Sequence, residues 1–469
     1  MTRLSLRLRI LLFFALLALG GILIVALALI VGYRHSIESG SGPGFMLSAI
    51  IAGFGLLGLA TGIWFLFDEN VAKPIEKLAA TLRVRAHAGV PAELDKHAAR
   101  YLGDLAPAAD AVTTQLNEQT LDAAEMVALE TEALSDEKTR LTALLSEIPL
   151  AIVLISPTHR IVLYDGQAAS ALAQIAPPRL NASIFDYFAK PNLIAAHDEL
   201  VKTDREVAFE ATCPNGEVSF AARLKPLGSA RGYMMFIDEA HSHLSPEASR
   251  PLTYDFELLK PSGPSNLMKL AIDRVPFVVF DSETTGLLPH KDEVIQLGAV
   301  RVLRGMIVPG EKIDRLVDPG RPIPPASTKV HHITDAMVAG APSFQPVATE
   351  FHHFARDAVI VAHNAPFDMA FLHRRAEEYD LDWQHPILDT VLLSAVLFGT
   401  TESHTLDALC ARLGVTIPAR LRHTALGDAQ ATAEVLCRML PMLKSQGYTT
   451  LEKVIEQCQK HSRLLEDMN

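Results

Sequence analysis

Residues Ile10 to Gly32 (ILLFFALLALGGILIVALALIVG) carry no charge, and nothing else in the chain limits its fold so tightly. Backbone polar groups in hydrocarbon must pair within their own segment, so such a run has to be helical. At 1.5 Å per residue it reaches about 35 Å, enough to cross a hydrocarbon core of about 30 Å. A second uncharged run, Phe45 to Phe67, follows a connection containing Gly40, Gly42, Pro43 and Gly44. The pair predicts a two-helix transmembrane anchor over residues 1–70, with the lipid bilayer as a partner. A cleaved signal peptide would have a shorter apolar region and a small-residue cleavage site. Arg3, Arg7 and Arg9 precede the first run and Lys73, Lys77, Arg83 and Arg85 follow the second. By the positive-inside rule both ends face the cytoplasm.

The rest of the chain reads as a series of modules. From Val71, VAKPIEKLAATLRVRAHAG is an amphipathic helical stretch, and a second begins at Arg100. Residues 71–137 resemble a HAMP signal-relay module, with a plain juxtamembrane helical linker as the alternative. Val127, Leu134, Leu141 and Ile148 recur every seven residues, which allows a short coiled coil and a homodimer. Two strand-like runs, Ala151 to Ile155 and Ile161 to Tyr164, flank a turn at Ser156 to Thr158, and further strands surround Pro214, Asn215 and Gly216. That order over 138–240 resembles a PAS sensory domain, whose ligand is unknown. His159 and His197 read as separate surface or core histidines. Residues 241–274 are rich in Ser and Pro and form a linker with a short ordered piece near Tyr254 to Leu259.

Chemistry concentrates in the last two hundred residues. In FVVFDSETTGL (277–287) an apolar strand ends in Asp281 and Glu283, which alternation places on one face. Two carboxylates so close repel unless a cation sits between them or one keeps its proton. VIVAHNAPFDMAFLHRRAEE (359–378) is a strand, a loop with His363 and Asn364, and a helix carrying Asp368 in its first turn. RHTALGDAQATAEVLCRML (422–440) is a helix with His423 and Asp428 near its start. A net charge of −12 argues against a protein that coats nucleic acid with a basic face, but leaves room for one that grips phosphate through metal ions. Cys213, Cys410, Cys437 and Cys458 lack metal-site spacing and read as reduced thiols.

FDSETTGL, HNAPFDMAFL and HTALGDA resemble the three motifs of the DEDDh 3′-5′ exonucleases, the group that includes the proofreading epsilon subunit of bacterial DNA polymerase III. The resemblance covers about 275–445. It implies an α/β, ribonuclease-H-like fold with a mixed central sheet flanked by helices over 275–446, and residues 447–469 are expected to form a C-terminal helical tail. Strands are expected at 277–281, near 294–303 and 312–317, and before the HNAP loop. It also implies two divalent ions, Mg2+ or Mn2+, held by Asp281, Glu283, Asp368 and Asp428, with His423 as general base. Thr284, Thr285, Leu287, His331 and Asn364 match positions that receive the substrate. His332 stands where relatives commonly have Gly, and Phe367 reads as core.

The expectation is a metal-dependent exonuclease on the inner membrane of a bacterial cell, its catalytic domain in the cytoplasm, acting on nucleic-acid 3′ ends. DNA is the first expectation and RNA the alternative, since these motifs do not settle contacts to the sugar 2′ position. A non-catalytic nucleotide-binding membrane sensor is the contrasting class.

Overall fold

The computed structural model describes residues 6–39, 41–79, 108, 151–228, 232–238, 252–259, 266–400 and 402–466. The HAMP-like stretch beyond residue 79, the seven-residue seam and parts of the Ser/Pro-rich linker lie outside the described residues. The chain divides into two compact units, 1–125 and 126–469.

In the first unit, helices Leu6–Ser39 and Ser41–Phe67 pack side by side, the second running on through a π turn at Asp68–Ala72. A Cβ on Gly55 would lie 2.5 Å from Ile24 Cγ2, so the glycine permits close approach of the two backbones. Leu23 and Phe54 are more than two-thirds exposed, as an outward apolar face requires. Phe13–His35 and Met46–Ala79, at mean hydropathies of 3.0 and 2.1, are long and apolar enough to cross a membrane.

The second unit holds two sheets. The first comprises β1 (Ala151–Ile155), β2 (Ile161–Tyr164), β3 (Val207–Thr212), β4 (Ser219–Pro226), β5 (Tyr233–Asp238) and β6 (Thr253–Tyr254), all antiparallel in the order β3-β4-β5-β1-β2-β6. Asp165 starts the helix Gly166–Ala173 by accepting from Ala168 N at 2.7 Å, supplying an acceptor that the first turn lacks. That helix and Lys190–Thr203 bury Leu172, Leu193 and Leu200 against the sheet. The ordered piece near Tyr254 is a strand that extends the sheet beside β2. His159 and His197 are not separate, as expected, but stand with ring centroids 4.9 Å apart, and His159 Nδ1 lies 2.7 Å from the Tyr233 hydroxyl. The turn before β2 and the Lys190–Thr203 helix bring them together, a tertiary contact with no local signature.

The second sheet has the order β11-β10-β7-β8-β9. Here β7 (Phe277–Thr284), β8 (Val294–Leu303) and β9 (Met306–Leu316) form an antiparallel meander, and β10 (Val359–Ala362) and β11 (Ile387–Asp389) run parallel to β7 and β10 respectively. All ten residues of β8 are buried, as a central strand covered on both faces requires. On one face the helix Phe344–Ala355 stacks Phe351 on Phe280, ring centroids 4.7 Å apart. The helix Ala425–Ser445 lies against β7 and β8. A Cβ on Gly298 would sit 2.1 Å from Leu426 N, so only glycine lets that helix start directly on β8. This mixed sheet between helices is the ribonuclease-H-like α/β architecture expected from the sequence.

The two sheets meet at a buried polar junction. Glu311 on β9 accepts from Tyr164 Oη at 2.8 Å and pairs with Arg301 Nε at 2.9 Å. Arg301 Nη2 donates to Leu180 O at 3.1 Å, and Arg179 Nη1 donates to Arg356 O at 2.9 Å.

Candidate active site

Asp281 and Glu283 leave β7 on one face because side chains alternate, and the ladder sets them opposite Gly298 and Gln296 of β8. Asp428 comes from the first turn of the helix Ala425–Ser445, whose start is fixed by Thr424. The Thr424 hydroxyl accepts from Gly427 N at 3.1 Å. Ligand oxygens of Asp281, Glu283 and Asp428 all lie within 4.8 Å of one another. Asp368, only 4% exposed, stands beside this trio in the first turn of the helix Ala365–Arg374. Its Oδ1 accepts from Ser282 N at 3.1 Å and from the Ser282 hydroxyl.

The electrostatics match that placement. Burial, then the charges of Asp368, Glu283 and Asp428, hold the Asp281 carboxyl well above the usual carboxylate range. Burial, Asp428 and Asp368 push Glu283 up to about 8. Asp368 is also raised, chiefly by burial, although the Ser282 hydrogen bonds oppose it. Burial raises Asp428, with His423 opposing. Among the described residues, no basic side chain is among the influences on Asp281 or Glu283. Hard oxygen donors gathered at such a cost to their own ionisation are the donor set that a hard divalent cation takes.

His423 is exposed and adopts a left-handed backbone with φ 55°, immediately before the capping Thr424. It lines a cavity of about 810 Å³ with Gln296, Asp314, His331, His332, Arg420 and Arg422. His331 is buried, and its Nδ1 accepts from Ile333 N at 3.0 Å, which places the ring proton on Nε2. His332 ends the helix Pro325–His331 at φ 62°, the conformation glycine adopts most readily, and remains exposed.

The turn after β7 divides its residues between two tasks. Thr285 is buried, its hydroxyl donating to Asp292 Oδ1 at 3.2 Å and accepting from Glu293 N at 3.0 Å. Its side chain therefore shapes the turn, whereas Leu287, 82% exposed, is presented outward. The Thr284 hydroxyl donates to Gly286 O at 2.7 Å. Asn364 begins the helix Ala365–Arg374 in a left-handed conformation, φ 66°. Phe367 packs edge-to-face on Phe371 at the border of the core.

Three residues that sequence reasoning passed over support this arrangement. Ser282 anchors Asp368. Asp389 is buried and accepts from Ala365 N and Val391 N, both at 2.7 Å, tying the HNAP loop to the helix Thr390–Phe398. Gln296 joins β8 to the start of the helix Ala425–Ser445. Asp389 did carry a signal, an Asp-Thr pair opening the apolar run VLLSAVLF.

Comparison with known proteins agrees with the geometry. Residues 278–436 match the Exonuclease family. A DNA polymerase III subunit epsilon-like protein of Rhodobacter capsulatus is 32% identical in an alignment covering 100% of both chains. The PolC-type DNA polymerase III of Halalkalibacterium halodurans is 39% identical over 165 residues, which make up 35% of this chain and 11% of that one. Among solved structures, exonuclease X in complex with 5′ overhanging duplex DNA is 28% identical, covering 39% of this chain and 99% of that chain at a TM-score of 0.31. The chain belongs to the family of DNA polymerase III subunit epsilon-like proteins and is a divalent-metal-dependent 3′-5′ exonuclease.

Proposed function

We propose that Asp281, Glu283, Asp368 and Asp428 hold two divalent ions, Mg2+ or Mn2+, and that His423 is the general base of a membrane-anchored exonuclease acting on DNA 3′ ends. The observation that carries this reading is the convergence of Asp281, Glu283 and Asp428 within 4.8 Å, with no basic residue among the described ones influencing Asp281 or Glu283. When bound, the ions would stabilise charge on the scissile phosphate and on the leaving oxygen. A ring nitrogen of His423 accepts the proton that the attacking water loses, a task suited to an imidazole at neutral pH. The water oxygen bonds to phosphorus as the bond from phosphorus to the 3′ oxygen breaks. His331 and Leu287 border the place where the terminal nucleotide is received, with Thr284, Thr285 and Asn364 shaping the adjoining backbone.

The two apolar helices support an inner-membrane anchor with the nuclease in the cytoplasm. The antiparallel sheet over 151–254 supports a PAS-like sensory role, and a dimer through the intervening linker completes the proposal. Full-length protein in lipid nanodiscs is to be incubated with end-labelled single-stranded DNA and RNA, with magnesium, manganese or chelator. Shortening from the 3′ end that requires metal and is lost in His423→Ala supports the assignment. Undiminished shortening in Asp281→Ala sinks the metal site, and faster shortening of RNA reverses the substrate preference.

A further inference from the structure

We propose that Gln296 is a positioning residue that sets His423 and Asp428 against the carboxylates of β7. Its side-chain amide spans two elements. Gln296 Nε2 donates to Asp314 Oδ1 on β9 at 2.9 Å, and this bond fixes which way the amide faces. Its Oε1 therefore points at the helix Ala425–Ser445, where it accepts from Ala425 N at 3.1 Å.

Ala425 is the first helical residue, so its N–H has no acceptor within the helix. Its neighbours are served locally: Gly427 N reaches Thr424 Oγ1 and Asp428 N reaches Thr424 O. Ala425 is completely buried, so water cannot replace the glutamine. His423 lies two residues before this tie and Asp428 three after it. Glu283 is the ladder partner of Gln296 itself. One amide thus connects the strand opposite the β7 carboxylates to the helix that brings the remaining carboxylate and the base.

Gly298 acts in the same place by a different means. Its missing side chain lets the helix touch β8, while Gln296 determines where along the strand the helix begins. Closeness alone would tolerate sliding. A directed hydrogen bond does not.

The proposal rests on His423 as general base, and the test separates the two. Full-length Gln296→Leu, the double variant Gln296→Glu with Asp314→Asn, and His423→Ala are to be compared for kcat and KM on end-labelled single-stranded DNA, for Mn2+ affinity by calorimetry, and for unfolding temperature. Gln296→Leu should lose about 100-fold in kcat, the scale of a displacement of about 1 Å in a reacting group. KM should stay near wild type, while Mn2+ affinity should fall about 10–100-fold, because the same tie places the proposed ligand Asp428. Gln296→Glu combined with Asp314→Asn keeps an oxygen for Ala425 N and a donor–acceptor pair between positions 296 and 314 without opposing two carboxylates, and should recover most of the lost kcat. Wild-type kcat in Gln296→Leu, a loss confined to KM, or a double variant Gln296→Glu with Asp314→Asn as slow as Gln296→Leu would each overturn the positioning role. A fully active His423→Ala would overturn the base assignment and the proposal together. An inactive His423→Ala beside an unimpaired Gln296→Leu would overturn the positioning alone.

Discussion

Two regions of the second unit hold carboxylates partly or wholly out of water, and they handle the charge in opposite ways. At the junction between the sheets, Glu311 is 1% exposed, yet it faces Arg301 and accepts from Tyr164 Oη and Leu180 N. Burial still raises its carboxyl, but Arg301 and the hydrogen bonds oppose the rise. Around β7, Asp281 and Glu283 meet burial and other carboxylates. The junction closes its charge within the fold, which marks a structural contact. The β7 cluster leaves its charge open to something from outside, which marks a ligand site.

Substitutions should break the comparison in opposite directions. Asp281→Asn should cost at least about 10²–10³-fold in kcat, the scale of removing one electrostatic stabiliser of a transition state. The same change should raise the unfolding temperature of the metal-free protein, because it removes a half-buried repulsion among carboxylates. A metal-free variant less stable than wild type would contradict that account. Glu311→Ala should do the reverse. It leaves Arg301 buried without its partner and should destabilise the fold by about 3–5 kcal/mol in denaturant unfolding. Its folded fraction should keep kcat near wild type. Replacing both partners, Arg301→Met with Glu311→Leu, should recover much of the loss, since an apolar pair needs no desolvation of charge. Between these extremes lies Asp389→Ala, which loosens the loop before Asp368. Its kcat should fall about 10–100-fold, as for partners that orient metal ligands.

The same contrast explains what could be read from the sequence. Asp281 and Glu283 share a face because strands have period two, and Asp368 and Asp428 stand in first helical turns, so local rules bring each to an element end. Gln296 meets Ala425 across 129 residues, and Glu311 meets Tyr164 across 147, and no local rule reaches that far. In sequence Glu311 is one more charge on an edge strand. The start of β9 was missed for a nearer reason. Arg304 and Gly305 both take positive φ, 55° and 72°, forming a tight hairpin turn that begins the strand at Met306 rather than near 312. β11 has only three residues, too few to show a period.

The smallest expected effect, in pH, tests both regions in one experiment. Glu283 has an ordinary value of 4.5 and is raised to about 8 in the fold. Between these values the unfolded chain ionises it while the folded chain holds the proton, so metal-free stability falls as pH rises through that window. A divalent ion favours the ionised form, so Mg2+ should flatten the fall. At the junction His353 stands 5.6 Å from the Tyr187 ring, and burial, then Arg179 and Arg356, lower it from 6.5 to about 3. There the unfolded chain takes the proton first, so stability is lost as pH drops from about 6.5 toward about 3, with or without metal. Unfolding temperatures across the pH range, in chelator and in Mg2+, should therefore separate progressively as pH rises from about 4.5 toward about 8 and coincide below about 4.5. His353→Leu should blunt the acid arm alone. Superimposed curves between about 4.5 and about 8 would mean that the β7 carboxylates do not receive the ion, and the distinction between closed and open charge would fail.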